Sequence, residues 1–335
     1  CGMRRTVPFK RSRLGMVAIR RIIDHAARQK VQAVSFTGGE PLLCLDDLID
    51  SIRHAGMAGI PYIRTGTNGF VFRPGGRDDF GGRVRRLADR LARTPLRNFW
   101  ISIDSADAGV HEQMRGFPGV VDGIARALPI FHRRGLYPSA NLGLNRNMGG
   151  ALTRDCRRRS RQTEADYLQE FYHRYLMALE RFYSHVIGLG FTIVNTCYPM
   201  SITEREMADG LQPVYAATAA EDIVRFNAGE KRMLFKALLD VIPAFRSRIR
   251  IFSPLCSLKA LVSRYGANGR RSYACRGGVD FFFIDAKTAG TFPCGYRGNE
   301  NFGPFWNVDL EKIVPGDPHS GCRQCDWECF RDPSE

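Results

Sequence analysis

The stretch "FTGGEPLL" carries the most concentrated chemistry in the chain. Gly38 and Gly39 directly follow an apolar run that predicts a buried strand, and without a Cβ they let the backbone approach a ligand closely. Glu40 adds a carboxylate to the same turn, and Pro41 favours the start of a helix. No glycine-rich dinucleotide or phosphate motif is formed at this turn. The turn, which begins at Thr37, therefore predicts a site for a ligand with an ammonium group.

Cysteines form a second group that could do chemistry. Most of the 10 cysteines crowd the last part of the chain, at Cys256, Cys275, Cys294, Cys322, Cys325 and Cys329. In a reducing compartment such crowding indicates a metal or redox centre rather than disulfides. A zinc site would need a second C-x2-C or H-x3-H pair, so the uneven spacing favours an iron–sulfur cluster. Cys256 is the weakest ligand candidate, because it also suits a buried apolar position on a helix.

Polar turns also follow three later predicted strands, in "TGTNG" (65–69), "SIDSAD" (102–107) and "NLGLN" (141–145). Each could be a simple turn. Because the carboxyl ends of parallel strands meet at one edge of a sheet, four such turns together predict a ligand crevice. The candidate binding residues there are Thr67, Asn68, Ser102, Asp104, Ser105 and Asn141.

These motifs together resemble the radical SAM superfamily over about residues 1–200. In that family a strand-end G-G-E-P, here 38–41, binds the amino group of S-adenosylmethionine (SAM). The segment "SIDSADAGVHEQMRG" (102–116) is similar to the family's S-[LI]-D-[SG] followed by H-x-x-[IM]-R-G. The resemblance implies that Ser102, Asp104 and Ser105 lie near the ribose and methionine carboxylate of SAM, with Asn141 a weaker candidate.

The resemblance also implies a [4Fe–4S] cluster, which the family holds with a C-x3-C-x2-C loop after the first strand. One-electron reduction of SAM on that cluster yields a 5′-deoxyadenosyl radical, which abstracts hydrogen from the substrate. This sequence has no such loop, but Cys1 lies upstream of G-G-E-P where the last cysteine of the loop is expected. We therefore expect Cys1 to be a catalytic cluster ligand, and the other two ligands and the first barrel strand to precede the chain.

The C-terminal part resembles the SPASM/twitch type of auxiliary-cluster domain, whose pattern is C-x-x-G…G-x-x-P-C and then C-x2-C. The matching positions are Cys275, Gly278, Gly290, Pro293, Cys294, Cys322 and Cys325. The full SPASM run is not matched, because Cys329 follows Cys325 after three residues and the chain soon ends. The resemblance implies one auxiliary [4Fe–4S] cluster.

The elements that must position these residues alternate along the chain. Short apolar runs at 31–40, 60–69, 98–107, 137–145 and 190–199 read as strands, and helical patterns lie at about 15–30, 45–58, 83–93, 120–134 and 163–187. This alternation predicts an α/β fold with a parallel sheet. With the resemblance, we expect a partial (β/α)6 TIM-like barrel lacking its first strand over residues 1–250, with a helical insertion around 150–190. A small Cys-rich α+β domain with a β-hairpin is expected over 251–335.

Composition limits the partners. The net charge of +15 suits an acidic electron donor such as flavodoxin or ferredoxin, or simply a well-solvated basic surface. Nucleic acid is a weaker expectation, because the densest basic cluster, "RDCRRRSRQ" (154–162), has no interleaved aromatic residues. No apolar run is long enough to span a membrane, and a cytoplasmic location is expected.

The sequence thus predicts a radical SAM enzyme that acts on a small molecule or a peptide, because auxiliary-cluster domains often accompany peptide modification. Two alternatives stay open. One is a basic zinc-binding protein that binds nucleic acid, which explains the charge and the C-x2-C pair but not the strand-end motifs. The other is a radical SAM-like scaffold that has lost catalysis.

Overall fold

Six parallel strands form one sheet in the computed structural model, which describes residues 12–74, 79–199, 207–208, 210–214, 222–266 and 275–313. The spatial order of the strands is their order in the chain. They are β1 (Ala33–Phe36), β2 (Tyr62–Thr67), β3 (Leu96–Ser102), β4 (Ser139–Gly143), β5 (Ile193–Cys197) and β6 (Arg250–Ile251). This sequential order of parallel strands is typical of TIM-like barrels.

Helices connect the strands, as parallel pairing requires. They are α1 (Met16–Arg28), α2 (Leu45–Met57), α3 (Phe80–Ala92), α4 (Ala108–Arg115), α5 (Val120–His132), α6 (Ala151–Arg154), α7 (Glu164–Leu189), α8 (Ala228–Phe245) and α9 (Leu255–Arg264). Single 3₁₀ turns lie at Pro41–Cys44, Phe70–Phe72, Asp222–Val224, Phe305–Asn307 and Leu310–Lys312. No helix in the described part of the chain has the length and apolar character needed to cross a membrane.

The two faces of the sheet differ in chemistry. Side chains on the helix-facing side, such as Ile63, Phe99 and Ile101, are buried, and Phe99 stacks on Phe131 of α5. The positions between them point to the barrel interior and alternate along each strand. On β3, β4 and β5 they are mostly polar and half-buried. The apolar half of each strand therefore builds the core with the helices, and the other half lines the interior.

The segment predicted as a helical insertion around 150–190 is the connection between β4 and β5. Its main helix, α7, has 26 residues, begins at the N-cap Thr163 and ends at Gly190, whose φ of 102° suits glycine. Its buried aromatic residues, including Phe171 and Tyr175, recur on the side that packs on α8. The helix thus belongs to the repeating βα unit of the sheet.

The predicted α/β partial TIM-like barrel is confirmed. The five predicted strands and five predicted helices are present, and the described residues also contain the short strand β6 and the helices α4, α6, α8 and α9. The predicted hairpin within 279–296 is present as β7 (Phe283–Ile284) paired antiparallel with β8 (Thr291–Phe292). The domain boundary near 250 stays a prediction, and Arg250–Ile251 is the last strand of the sheet.

The described C-terminal segment packs against the first helix. Val308 accepts a hydrogen bond at 2.7 Å from Nε2 of His25, and the amide of Leu310 donates to Oε1 of Gln29 at 3.1 Å. The guanidinium of Arg21 lies 4.4 Å from the ring centre of Trp306. These contacts join residues that are far apart in sequence, so residues 306–310 pack directly against α1 and the residue that follows it.

Candidate active site

Glu40 is fixed at the carboxyl edge of the sheet by two backbone amides. Its Oε1 accepts from the amide of Leu42 at 3.1 Å, and its Oε2 accepts from the amide of Asn68 at 2.6 Å. The first bond caps the 3₁₀ turn that Pro41 begins, and the second joins the ends of β1 and β2. Each carboxylate oxygen retains acceptor capacity for a further donor. The carboxylate is therefore held in one orientation with room for a further donor, and its contact with the ammonium group of SAM stays a prediction.

Burial raises the pKa of the Glu40 carboxyl, although hydrogen bonds from Asn68, Leu42 and the Thr67 hydroxyl, and the charge of Arg115, act against this rise. A bound cation would favour the ionised form. The desolvated carboxylate is thus better suited to a positively charged ligand than to water.

The residues before Glu40 leave space for such a ligand. Thr37, Gly38 and Gly39 are exposed, and a Cβ added at either glycine would meet nothing within 4 Å. Gly38 has a φ of 141°, which other residues rarely adopt. The turn therefore combines a glycine-specific backbone with open space beside the fixed carboxylate.

Asp104 is the centre of a second polar group, at the end of β3. Its Oδ2 accepts from Nε of Arg115 at 2.5 Å and its Oδ1 from Nη2 at 2.7 Å, a two-bond ion pair. The backbone amide of Asp104 donates to Nδ1 of His111 at 3.0 Å. Burial is the largest single influence on the pKa of Asp104 and would raise it, but the charge of Arg115, its hydrogen bonds and the smaller nearby positive charges together outweigh burial and lower that pKa. Asp104 is therefore an ionised, oriented carboxylate.

His111 is completely buried, and this burial lowers its pKa to about 4. Because Nδ1 accepts the Asp104 amide, the neutral ring carries its proton on Nε2. His111 thus fixes the backbone of Asp104 through a hydrogen bond, while Arg115 orients its carboxylate. Both residues belong to the "HEQMRG" stretch on α4, which the sequence analysis quoted without assigning them a role.

Ser105 and Thr67 lie at the predicted site but are buried, and their hydroxyls bind neighbouring groups. The Ser105 Oγ lies 3.0 Å from the carbonyl oxygens of Asn147 and Met148. The Thr67 Oγ1 accepts from the amide of Gly69 at 3.1 Å. In this structure both hydroxyls stabilise the loops at the sheet edge, and a direct contact with SAM stays a prediction for each.

Asn141 and Ser102 face the barrel interior side by side, because they are partners in the β3–β4 register. Oδ1 of Asn141 accepts from Nδ2 of Asn195 at 3.0 Å and lies 3.4 Å from Sγ of Cys197. These half-buried side chains line the barrel interior below the strand ends, where the sequence predicts a ligand crevice. Asn141 was predicted from the sequence but Asn195 was not, although a polar residue within the apolar strand segment "TIVNTC" (192–197) was an available signal.

Cys275 and Cys294 are buried close together around Gly277. A Cβ added at Gly277 would lie 3.4 Å from Sγ of Cys275 and 3.7 Å from Cβ of Cys294. Each sulfur lies 3.4 Å from the backbone amide two residues ahead, in Gly277 and Tyr296. Such N–H···S contacts stabilise the thiolates that hold iron–sulfur clusters. The pair therefore suits cluster ligation.

Cys256, in contrast, is exposed near the start of α9 and is not the buried apolar residue that was its alternative interpretation. The remaining predicted ligands, Cys1, Cys322, Cys325 and Cys329, lie outside the described residues. Within the described ranges no three His, Cys, Asp or Glu side chains are grouped so that they could hold a metal ion. The assignment of both clusters to these cysteines stays a prediction.

The comparisons with known proteins agree with this geometry. The family model described as the Radical SAM superfamily matches residues 1–150. The fold is similar to that of anSMEcpe with bound AdoMet, at 13% identity and a TM-score of 0.51, over 91% of this chain and 73% of the other. It is also similar to Streptococcus suis SuiB bound to the precursor peptide SuiA, at 14% identity and a TM-score of 0.55, over 93% of this chain and 60% of the other.

No curated protein matches the chain by sequence. The solved structures share the fold with this chain at low sequence identity, so the family assignment depends on the matched residues 1–150, which contain Glu40, Asp104 and Arg115. The superfamily predicted from the strand-end motifs is thereby confirmed. The chain carries a domain of the radical SAM superfamily, which is a superfamily of enzymes.

Proposed function

We propose that the protein is a radical SAM enzyme that cleaves SAM reductively and abstracts a hydrogen atom from its substrate. When bound, the [4Fe–4S] cluster supplies the electron for this cleavage. The observation that carries the proposal is the carboxylate of Glu40, held by the amides of Leu42 and Asn68 beside an exposed diglycine turn. The chain spans only about three fifths of SuiB, so the activity of the whole protein is a proposal.

Glu40 binds the ammonium group of SAM in this proposal, because its fixed carboxylate needs no reorganisation when the cation arrives. Asp104 lies at the end of β3, where the superfamily motif predicts the ribose and methionine carboxylate. Its carboxylate is already occupied by Arg115, so we propose that Asp104 acts by positioning the Arg115 guanidinium at the rim. Arg115 also affects Glu40 electrostatically, which supports a single polar rim formed by the two strand ends.

The buried Cys275 and Cys294 support an auxiliary cluster in the C-terminal part, with the cysteines outside the described residues as further ligands. Such a cluster would accept or relay an electron. For the substrate we propose a peptide, because SuiB, which has a similar fold, was solved with a precursor peptide. We also propose an acidic flavodoxin-like or ferredoxin-like electron donor, supported by the net charge of +15, and a cytoplasmic location.

The direct test is to reconstitute the full-length protein with iron and sulfide, add SAM and dithionite, and measure 5′-deoxyadenosine. We expect product from the wild-type protein. For Glu40→Gln we expect the Kd for SAM to rise by about tenfold or more, the value of a charged hydrogen bond. The matched control is Asp50→Asn, which removes an exposed carboxylate from α2.

A cluster-loaded protein that forms no 5′-deoxyadenosine would refute the proposal and favour the inactive scaffold. Zinc in place of iron and sulfide after anaerobic purification would favour the zinc-binding alternative. If Glu40→Gln and Asp50→Asn bind SAM equally well, the amino-group site lies elsewhere even though the enzyme is active.

A further inference from the structure

Arg64 lies on the interior face of the barrel, in the middle of β2. Its register partners are Ser35 on β1 and Asn98 on β3, and Asn98 in turn contacts Ser139 at 3.3 Å. All three neighbours are neutral. An arginine at this depth is unexpected, since a charge in a half-buried place is costly without a counter-charge.

No such counter-charge is present in the part of the chain that the structure describes. Nε of Arg64 is buried and has no hydrogen-bond partner, and no acidic side chain among the described residues pairs with the guanidinium. None of the six strands carries an acidic residue, and Arg250 on β6, the register partner of Ile193, is a further positive charge. The interior wall is thus cationic.

The guanidinium is nevertheless held in place. It lies 5.1 Å from the ring centre of Trp100, which is the next interior residue after Asn98 on β3. The indole of Trp100 covers Gly66, where an added Cβ would lie 2.0 Å from the ring. A guanidinium stacked on an indole keeps its N–H edge available for a planar oxyanion. Gly66, Trp100 and Arg64 therefore form a preorganised cation in the interior.

We propose that Arg64, oriented by Trp100, binds a carboxylate of the substrate. This proposal rests on the proposed function, because it assigns the ligand of Arg64 as the substrate of the radical reaction. A carboxylate matches the guanidinium fork with two parallel hydrogen bonds and supplies the missing counter-charge. The carboxylate of SAM is a poorer match, because Ser102 at the predicted SAM rim lies four residues, or about 13 Å, further along the sheet than the Arg64 row.

The test is a binding measurement on the full-length protein that needs neither cluster loading nor turnover. The probe is N-acetylglutamic acid α-amide, and its neutral counterpart is N-acetylglutamine α-amide. We expect the acid to raise the thermal unfolding temperature of the wild-type protein in a concentration-dependent way, and the amide to have no such effect. In Arg64→Met the apparent affinity for the acid should fall by about tenfold or more.

Arg53→Met, which removes an exposed arginine from α2, is the matched control and should retain the effect. If Arg64→Met does not fold, Arg64→Lys, which keeps the charge but loses the fork, should weaken binding of the acid instead. Equal stabilisation by acid and amide, or an unchanged response in the Arg64 variants, would overturn the proposal. It would also be overturned if these variants weaken SAM binding while leaving the response to the acid intact. A failure to form 5′-deoxyadenosine would affect the proposed function alone.

Discussion

Asp104 shows how single residues are positioned before any ligand arrives. Arg115 orients the Asp104 side chain and supplies the positive charge beside it, and His111 accepts a hydrogen bond from the Asp104 backbone amide. Both residues lie on α4. Glu40 and Asp104 could be predicted from the sequence because they follow apolar strands at recognisable turns. The pairing of Arg115 with Asp104 could not, since the sequence does not show whether the arginine side chain turns back to the strand end.

Asp104→Asn should destabilise the protein by about 3–5 kcal/mol, because it leaves the nearly buried Arg115 guanidinium without its counter-charge. Chemical denaturation measures the loss. The double variant Asp104→Asn with Arg115→Met should recover part of it. Equal losses in the single and double variants would show that the unpaired charge of Arg115 is not the cause of the destabilisation.

His111 should make folding sensitive to acid. Its pKa is about 4 in the folded protein, below the ordinary value of 6.5, so the unfolded chain takes up the proton first as the pH falls. Its contribution to stability is complete above about pH 6.5 and decreases toward pH 4, with a slope of up to about 1.4 kcal/mol per pH unit. Asp104 and Glu112 favour the protonated ring, whereas burial, Arg115 and His185 oppose it.

Urea unfolding at several pH values measures this slope. His111→Asn, which offers an acceptor to the Asp104 amide without a titrating ring, should remove it, whereas His173→Asn on the exposed face of α7 should leave it unchanged. A His111→Asn protein with the wild-type pH slope would contradict the assignment.

At the scale of elements, the five longer strands and the five helices that alternate with them were predictable because each repeats its pattern over several residues. Strand β6 was not, because Arg250 and Ile251 are too few to show a period. Helix α4 has only 8 residues, and its signals are the N-cap Asp107 and the terminal Gly116 with φ 69°. Those signals were present in the sequence, but Asp and Gly are equally common in turns. The alternation of strands and helices did not require α4 either, because α5 already provides the helix between β3 and β4.

Gly66 in β2 is the position where the packing of β2 against β3 leaves no room for a side chain. Gly66→Ala should cost about 1–3 kcal/mol, because the added Cβ would overlap the Trp100 indole at 2.0 Å. Thermal or chemical unfolding measures the cost. Gly188→Ala in α7 is the matched control, since its Cβ meets nothing within 4 Å, and it should be neutral or stabilising by up to about 1 kcal/mol. Equal effects of the two substitutions would mean that the indole does not depend on Gly66.

At the scale of the whole molecule, the tail was the least predictable part. Its cysteine spacing predicted a cluster, and the structure brings Cys275 and Cys294 together. The contacts of His25 and Gln29 with residues 308–310 could not be predicted, because nothing local in either segment identifies the other. Long-range packing of this kind depends on the complete surface of the barrel.

Cys275→Ser combined with Cys294→Ser should lower the iron and sulfide bound per chain without abolishing the proposed SAM-cleaving activity, because the proposed auxiliary cluster would be held by a different part of the chain from the SAM-binding cluster. Metal and sulfide analysis of anaerobically purified protein measures the change. Cys44→Ser, which alters a half-buried thiol that is not among the proposed cluster ligands, is the control. Unchanged iron content in the double variant would exclude these two cysteines as ligands.

The two-faced sheet has a consequence for how the protein can change over time. Residues that hold the fold together, such as Phe99 and Ile101, alternate with residues that face the interior, such as Asn98, Trp100 and Ser102. An exchange on the interior side leaves the contacts with the helices intact, so it costs little stability wherever it does not disturb a packed interior pair such as Gly66 and Trp100. Because tolerance to mutation is limited mainly by stability, the interior wall can diverge quickly toward new molecules while the scaffold is inherited unchanged.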